Sequence, residues 1–297
     1  MVKNFSILFA LIAAALIGFF VLSYHTKVSV VSDKPAETVE QSPVTFLVLG
    51  RMGKVVGWNQ APDLADSIVL VDYRPKIGVV NLISLPRDLY VNLGGERFKI
   101  NEVVRRDKIN ELLAKLPDIT GLSTDKYIVV DVDSLKNVVD GLAGIDINLD
   151  SDVIDKVSGF TMKAGQQHLN GDDVVWLVRN RFAPEGDFFR EKNQHQVIEA
   201  IFSKYKNLNP LNKASFIFKI MPEITQLKTN LNFSEIIPAA ENFGSVKFND
   251  IVLDFNTGLV ESNSIKMGTS TMYILLPKSG PEDYTDIKNY IESKLDQ

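Results

Sequence analysis

The chain has 297 residues, 45% of them apolar and 23% charged, with a net charge of −5. That balance belongs to a globular protein with a full-sized core rather than a disordered one, and an acidic total leaves no footprint for nucleic acid, which needs clustered Lys and Arg. With no cysteine, disulfides and thiolate chemistry are excluded; the three histidines, His25, His168 and His195, lie at no metal-ligand spacing, so zinc has no support.

From the N-terminus, residues 1–4 form a short flank carrying Lys3, and residues 5–23 are apolar without a charge. Such a run, at about 1.5 Å per residue, spans roughly the 30 Å hydrocarbon thickness of a bilayer. It has no polar stripe to mark a globular helix. Ala13, Ala14 and Ala15 lie inside the run and Tyr24-His25-Thr26 makes a poor cleavage site, so the segment reads as an uncleaved signal-anchor helix. Lys27 and Lys34 follow it, but the first flank usually dominates, which places the N-terminus in the cytoplasm and the bulk outside. Residues 24–43, rich in Ser, Thr, Val, Lys, Glu and Pro, read as a linker. Residues 44–297 are then a single-pass protein's extracytoplasmic domain, close above the cell membrane.

From residue 44 the pattern alternates. Residues 44–49 are a β-branched run closing on Gly50; 67–73 and 78–85 are two more, parted by the turn signal Arg74-Pro75-Lys76. Residues 102–116 have helical periodicity. A strand at 127–132 leads to a helix at 133–142 with Asp133 or Ser134 at its N-cap. A strand is expected at 145–149, then helices at 169–179, 188–205, 211–227 and 233–243. Strands near 251–255 and 271–276 and a helix at 284–295 close the chain. Strands alternating with helices predict an α/β domain whose sheet is covered on both faces. The middle helices are apolar on more than one side, which fits a deep core or a helix-lined pocket for an apolar ligand.

Three segments carry candidate chemistry. Asp63-Leu64-Ala65-Asp66-Ser67 precedes a strand. Ser84-Leu85-Pro86-Arg87-Asp88 ends one, and Pro86 throws Arg87 into the loop at the sheet's edge. Val178-Arg179-Asn180-Arg181 is followed by Gly186-Asp187-Phe188-Phe189-Arg190 and Gln194. Arg179 and Arg181 diverge on a helix but converge at a helix end, and Arg190 falls where a helix N-terminus favours an anion. Arginine forks suit phosphate oxygens. Each segment alone also has a plainer reading: Arg87-Asp88 as a surface pair, Gly-Asp-Phe as a turn, Asp66 as a cap. Spacing alone supports an anion site and no more.

In their order these segments resemble the LytR-CpsA-Psr family. The resemblance is carried by Leu49-Gly50, Leu64-Ala65-Asp66-Ser67, Ser84-Leu85-Pro86-Arg87-Asp88, Lys99-Ile100-Asn101, Ala143-Gly144-Ile145-Asp146-Ile147, Leu169-Asn170-Gly171, Arg179-Asn180-Arg181 and Gly186-Asp187-Phe188-Phe189-Arg190. It is strongest over residues 44–206. It implies a three-layer α/β/α domain with a central mixed sheet and an apolar tunnel for lipid. It also implies transfer of a glycopolymer from a polyprenyl-pyrophosphate carrier to peptidoglycan or another wall acceptor, assisted by Mg²⁺. On this resemblance Asp66, Arg87, Arg179, Arg181 and Arg190 are the catalytic set, with Asp66 the metal-linked carboxylate. Arg51, Asp88, Lys99 and Gln194 are substrate-binding candidates. A binder of the same lipid that does no chemistry, and a pyrophosphatase acting on it, are the alternatives. The chain departs from the family's pattern where a second aspartate is usual and Met52 stands, where an arginine is usual and Leu64 or Asn193 stands, and where a second glutamine is usual and His195 stands. Methionine offers no oxygen to Mg²⁺; Asp63 and Arg51 are the nearest substitutes in charge.

Overall fold

The computed structural model describes residues 42–51, 63–155, 159–180, 187–224, 227–231 and 246–295. The anchor expected at 5–23, most of the linker at 24–43, Met52, Arg181 and the helix expected at 233–243 lie outside them. Among the described residues no helix is long and apolar enough to cross a membrane.

The strands in chain order are β1 (Val44–Arg51), β2 (Ala65–Arg74), β3 (Val79–Ser84), β4 (Tyr90–Leu93), β5 (Glu96–Lys99), β6 (Tyr127–Asp131), β7 (Ile145–Leu149), β8 (Val153–Ile154), β9 (Thr161–Met162), β10 (Gly165–Leu169), β11 (Lys228–Thr229), β12 (Lys247–Val252), β13 (Val260–Met267) and β14 (Ser270–Pro277). The helices are α1 (Ile109–Thr120), α2 (Val132–Gly141), α3 (Gly171–Leu177), α4 (Asp187–Lys206), α5 (Pro210–Ile224) and α6 (Thr285–Lys294). Six strands make the central sheet in the order β11-β6-β1-β2-β3-β12. β1 runs antiparallel to β2 and β2 to β3, while β6 is parallel to β1 and β12 to β3, so the sheet is mixed as expected.

Side chains alternate across each strand and divide the core in two. Phe46, Val48, Val69, Val71 and Leu82 pack with Leu135 and Val138 of α2, Val197 and Ile201 of α4 and Phe216 of α5. Leu47, Leu49, Ile68, Leu70 and Ile83 pack with Leu112 and Leu116 of α1 and Ile287 and Ile291 of α6. Both faces are covered, which is why these strands read as near-continuous apolar runs.

Several expected boundaries move for physical reasons. Residues 102–116 are not one helix: Ile100–Glu102 is a 3-10 turn, and Asp107 at φ 52° breaks the chain before α1 begins. α1 continues through Pro117 to Thr120 and stops at Gly121, which takes a left-handed φ of 78°. α2 is capped by Asp131, not by Asp133 or Ser134. Asp131 ends β6 in an extended conformation and accepts from the Ser134 N–H at 3.2 Å, so strand passes to helix without a loop. α3 starts two residues later than expected, because Leu169 belongs to β10 and Asn170 closes a capping box with Asp173. The strand expected at 251–255 is β12; the chain then turns at Asp254, whose side chain accepts from the Thr257 N–H at 3.0 Å.

Candidate functional site

The candidate residues gather where β1 and β3 end and β2 begins. Gly50 of β1 lies opposite Ser67 of β2, and the next residue, Arg51, lies opposite Ala65, so Asp66 is the extra residue of a β-bulge. A bulge frees its residue from the ladder and re-aims it. Both halves of Asp66 are used here. Its carboxylate is paired with the Arg87 guanidinium, with both side chains buried. Its carbonyl accepts from Arg190 Nη2 at 2.9 Å, and Arg190 is wholly buried.

Arg87 comes three residues after the end of β3, as Pro86 predicts. Its turn is fastened by backbone bonds: Leu85 N–H to Ile68 O at 2.8 Å, Leu89 N–H to Pro86 O at 2.9 Å and Asn101 N–H to Arg87 O at 3.2 Å. The β4–β5 hairpin carries Lys99, whose Nζ lies 2.8 Å from Asp88 Oδ1. The same oxygen is 3.9 Å from Arg87 Nε. Asp88 thus sits between two cations and holds them near the Arg87 turn. On the other side of the bulge, Arg51 Nη1 bonds Asp63 at 3.0 and 3.2 Å.

α4 supplies the third wall. Its first half turns Arg190, Glu191, Asn193, Gln194 and His195 inward, all buried. Gln194 Oε1 accepts from Ser67 Oγ at 2.8 Å. Asp66, Arg87, Asp88, Lys99 and Arg190 are therefore one connected group, and Gln194 lies beside it, bonded to Ser67, the residue after Asp66. Arg179 follows the end of α3 and is half-buried; burial lowers its pKa, opposed by the charge of Asp155. Arg181 lies outside the described residues.

Sequence reasoning passed over Ser67, Ser84 and Asp250. The two serines stand inside segments singled out above, but nothing local marks a serine as a partner of a helix more than 100 positions away. His195 Nε2 lies 2.9 Å from Ser84 Oγ, and its Nδ1 2.8 Å from Asp250 Oδ1.

For a divalent cation the donor set is sparse. Among the described residues no group of three or more metal-ligating side chains occurs. Asp66 is the acidic side chain at the bulge. Mg²⁺ commonly needs one or two carboxylates and completes its shell with substrate phosphates and water, so the residues fit an ion that arrives with a phosphorylated ligand.

Fold and site together define an α/β protein with a mixed central sheet and two buried arginines, Arg87 and Arg190, bonded to Asp66 at a bulge where β2 begins. The chain belongs to the LytR_cpsA_psr family, whose model matches residues 21–279. It is 29% identical over 257 residues to the polyisoprenyl-teichoic acid–peptidoglycan teichoic acid transferase TagU of Bacillus licheniformis, covering 79% of this chain and 81% of that one. It is 28% identical over 207 residues to TagU of Bacillus subtilis, covering 69% and 65%. Among solved structures it resembles the Lin1025 protein of Listeria innocua, with a TM-score of 0.64, 25% identity and coverage of 86% and 99%. It shares its fold with TagT bound to LIIa-WTA, with a TM-score of 0.62, 20% identity and coverage of 91% and 97%.

Proposed function

We propose that the protein transfers a glycopolymer from a polyprenyl-pyrophosphate carrier to peptidoglycan or another wall acceptor, forming a phosphodiester. The observation that carries this reading is the convergence of Arg87 and Arg190 on the two ends of one residue, Asp66, at the β-bulge. The transferase names of the relatives support it.

The acceptor hydroxyl oxygen attacks the phosphorus that bears the glycan. A new O–P bond forms, the bond to the bridging pyrophosphate oxygen breaks, and polyprenyl monophosphate leaves. Such a transfer needs charge neutralisation and in-line placement more than a protein nucleophile. Arg87, Arg179, Arg181 and Arg190 neutralise the pyrophosphate. Lys99 and Arg51 add charge at the rim, Asp88 holds Lys99 in place, and Gln194 orients oxygens. Asp66 would hold Mg²⁺, which would supply Lewis-acid charge to the leaving phosphate, or would take the hydroxyl proton. The segment at 5–23 anchors the chain in the cell membrane with the domain outside, within reach of a lipid whose tail stays in the bilayer.

The test is incubation of the full-length protein with a polyprenyl-pyrophosphoryl oligosaccharide and peptidoglycan fragments, with and without Mg²⁺. Expected is a phosphodiester-linked product, lost in Arg87→Ala together with lipid binding. Release of glycan phosphate into water without acceptor would make the protein a pyrophosphatase. Tight lipid binding with no product would make it a binder.

A further inference from the structure

His195 stands at the junction of three elements, and the clamp chemistry above makes no use of it. It follows Gln194 on α4, so the two side chains diverge by about 100° and straddle the line facing the sheet. Gln194 bonds Ser67 on β2. His195 meets Ser84, the last residue of β3, at 2.9 Å and Asp250 of β12 at 2.8 Å. Ser84 lies opposite Val69 on one side and Val252 on the other, so Asp250 is one same-face step back along the edge strand. The imidazole thus crosses diagonally from β3 to β12 at the end of the sheet where the site lies.

A Ser-His-Asp chain suggests a nucleophile, but the transfer above needs none; Ser84 and His195 are both buried, at 1% and 0% exposure. Asp250 alone reaches the surface, at 44%. What the chain does is mechanical. The clamp's buried arginines stand on two elements, Arg87 on the turn after β3 and Arg190 on α4. His195 bonds α4 to β3, five residues beyond Arg190 on the helix side and at Ser84, three residues before Arg87, on the strand side. The serine hydroxyl donates or accepts, so the bond to Nε2 persists with either ring tautomer.

We propose that His195 is a positioning residue: bonded to Ser84 and lying against Asp250, it sets the separation of Arg87 and Arg190 to that of the two phosphates of a pyrophosphate. This rests on the transferase reading and assigns a new residue to the same site. A monophosphate engages one phosphate's worth of the clamp and is insensitive to that separation, whereas a pyrophosphate is not.

The experiment measures dissociation constants of the full-length protein for polyprenyl pyrophosphate and polyprenyl monophosphate, in detergent. The unaltered protein is expected to prefer the pyrophosphate. Ser84→Ala, which removes one hydroxyl, and Asp250→Ala, at a partly exposed position, are the primary variants; His195→Ala and His195→Gln complete the set. Expected is a loss of about tenfold in pyrophosphate affinity with monophosphate affinity unchanged, with partial recovery in His195→Gln, whose amide also reaches a hydroxyl. If Ser84→Ala and His195→Ala keep the preference, or weaken both ligands equally, the positioning role is overturned and the transferase reading stands. If the unaltered protein binds no pyrophosphate, both fall.

Discussion

At the scale of single residues, the most consequential is Asp66. It is buried, bulged out of the ladder and paired with Arg87. Removing one partner of a buried ion pair costs about 3–5 kcal/mol, because the remaining charge stays in a poorly solvating place. Asp66→Ala should therefore lower the melting temperature by roughly 10 °C for a domain of this size. Asp66→Asn keeps a hydrogen-bond acceptor for Arg87 and should melt closer to the parent while losing transfer. Equal melting of the two variants would mean that the charge, and not the lost hydrogen bond, sets the stability. A second residue carries a pH effect. Burial, with the charge of Asp250 adding to it, raises the Glu199 pKa from its ordinary value to about 7. Between roughly pH 4.5 and 7 the folded chain then holds a proton that the unfolded chain has lost, so stability falls as pH rises through that window. The effect is on the order of 1–3 kcal/mol. Glu199→Gln should flatten this slope and raise the melting temperature at pH 8; melts at pH 5, 6, 7 and 8 that run parallel for the two proteins would refute it.

At the scale of elements, polar residues fix the sheet's register as firmly as apolar ones. Thr45, Asp72, Asn81 and Asn249 lie directly opposite one another across β1, β2, β3 and β12. Thr45 Oγ1 donates to Asp72 at 2.9 Å, Asn81 Nδ2 to Asp72 at 3.1 Å, and Asn249 Nδ2 to Asn81 at 2.8 Å. Arg74 Nε adds a bond to Asp72 at 2.8 Å. A slip of one residue in any pair would face these groups into the apolar layer on the other side. Asn81→Leu should destabilise by about 1–3 kcal/mol by taking one donor from Asp72 and one acceptor from Asn249, read as a shifted urea midpoint; an unchanged midpoint would show that the row adds nothing. Asp131 does a different job, ending β6 and capping α2 at once. Asp131→Ala should cost about 1 kcal/mol, and a loss below a few tenths would show that the cap is dispensable.

At the scale of the whole molecule, the site sits at one end of the sheet and the polar row at the other, with β1 running from Thr45 in the row to Arg51 at the site. The linker expected at 24–43 joins the fold at the start of β1, the end away from the clamp. A 20-residue linker extends to at most about 70 Å, enough to turn the clamp toward the bilayer. Protease added to intact cells should digest the domain, and full protection would overturn the outside location.

Much of the fold was legible in the sequence because it follows from local pattern. The near-continuous apolar runs of β1, β2 and β3 demand burial on both faces, and Pro86 demands that β3 stop before Arg87. The order of the motifs likewise pointed to the family, and three of the five residues it marked as catalytic, Asp66, Arg87 and Arg190, meet at the bulge. What the sequence left open depends on contacts between distant positions. β13 is exposed on both faces along most of its length, and the strands of the β4–β5 hairpin are only four residues each, too short for the alternation of β4 to stand out. The bulge at Asp66 exists only as a mismatch of register between two strands, so no single strand's residues reveal it. The junction of Ser84, His195 and Asp250 joins residues up to 166 positions apart in the chain. Local spacing dictates which residues point inward; only the packing of α4 over β2, β3 and β12 decides which of them meet.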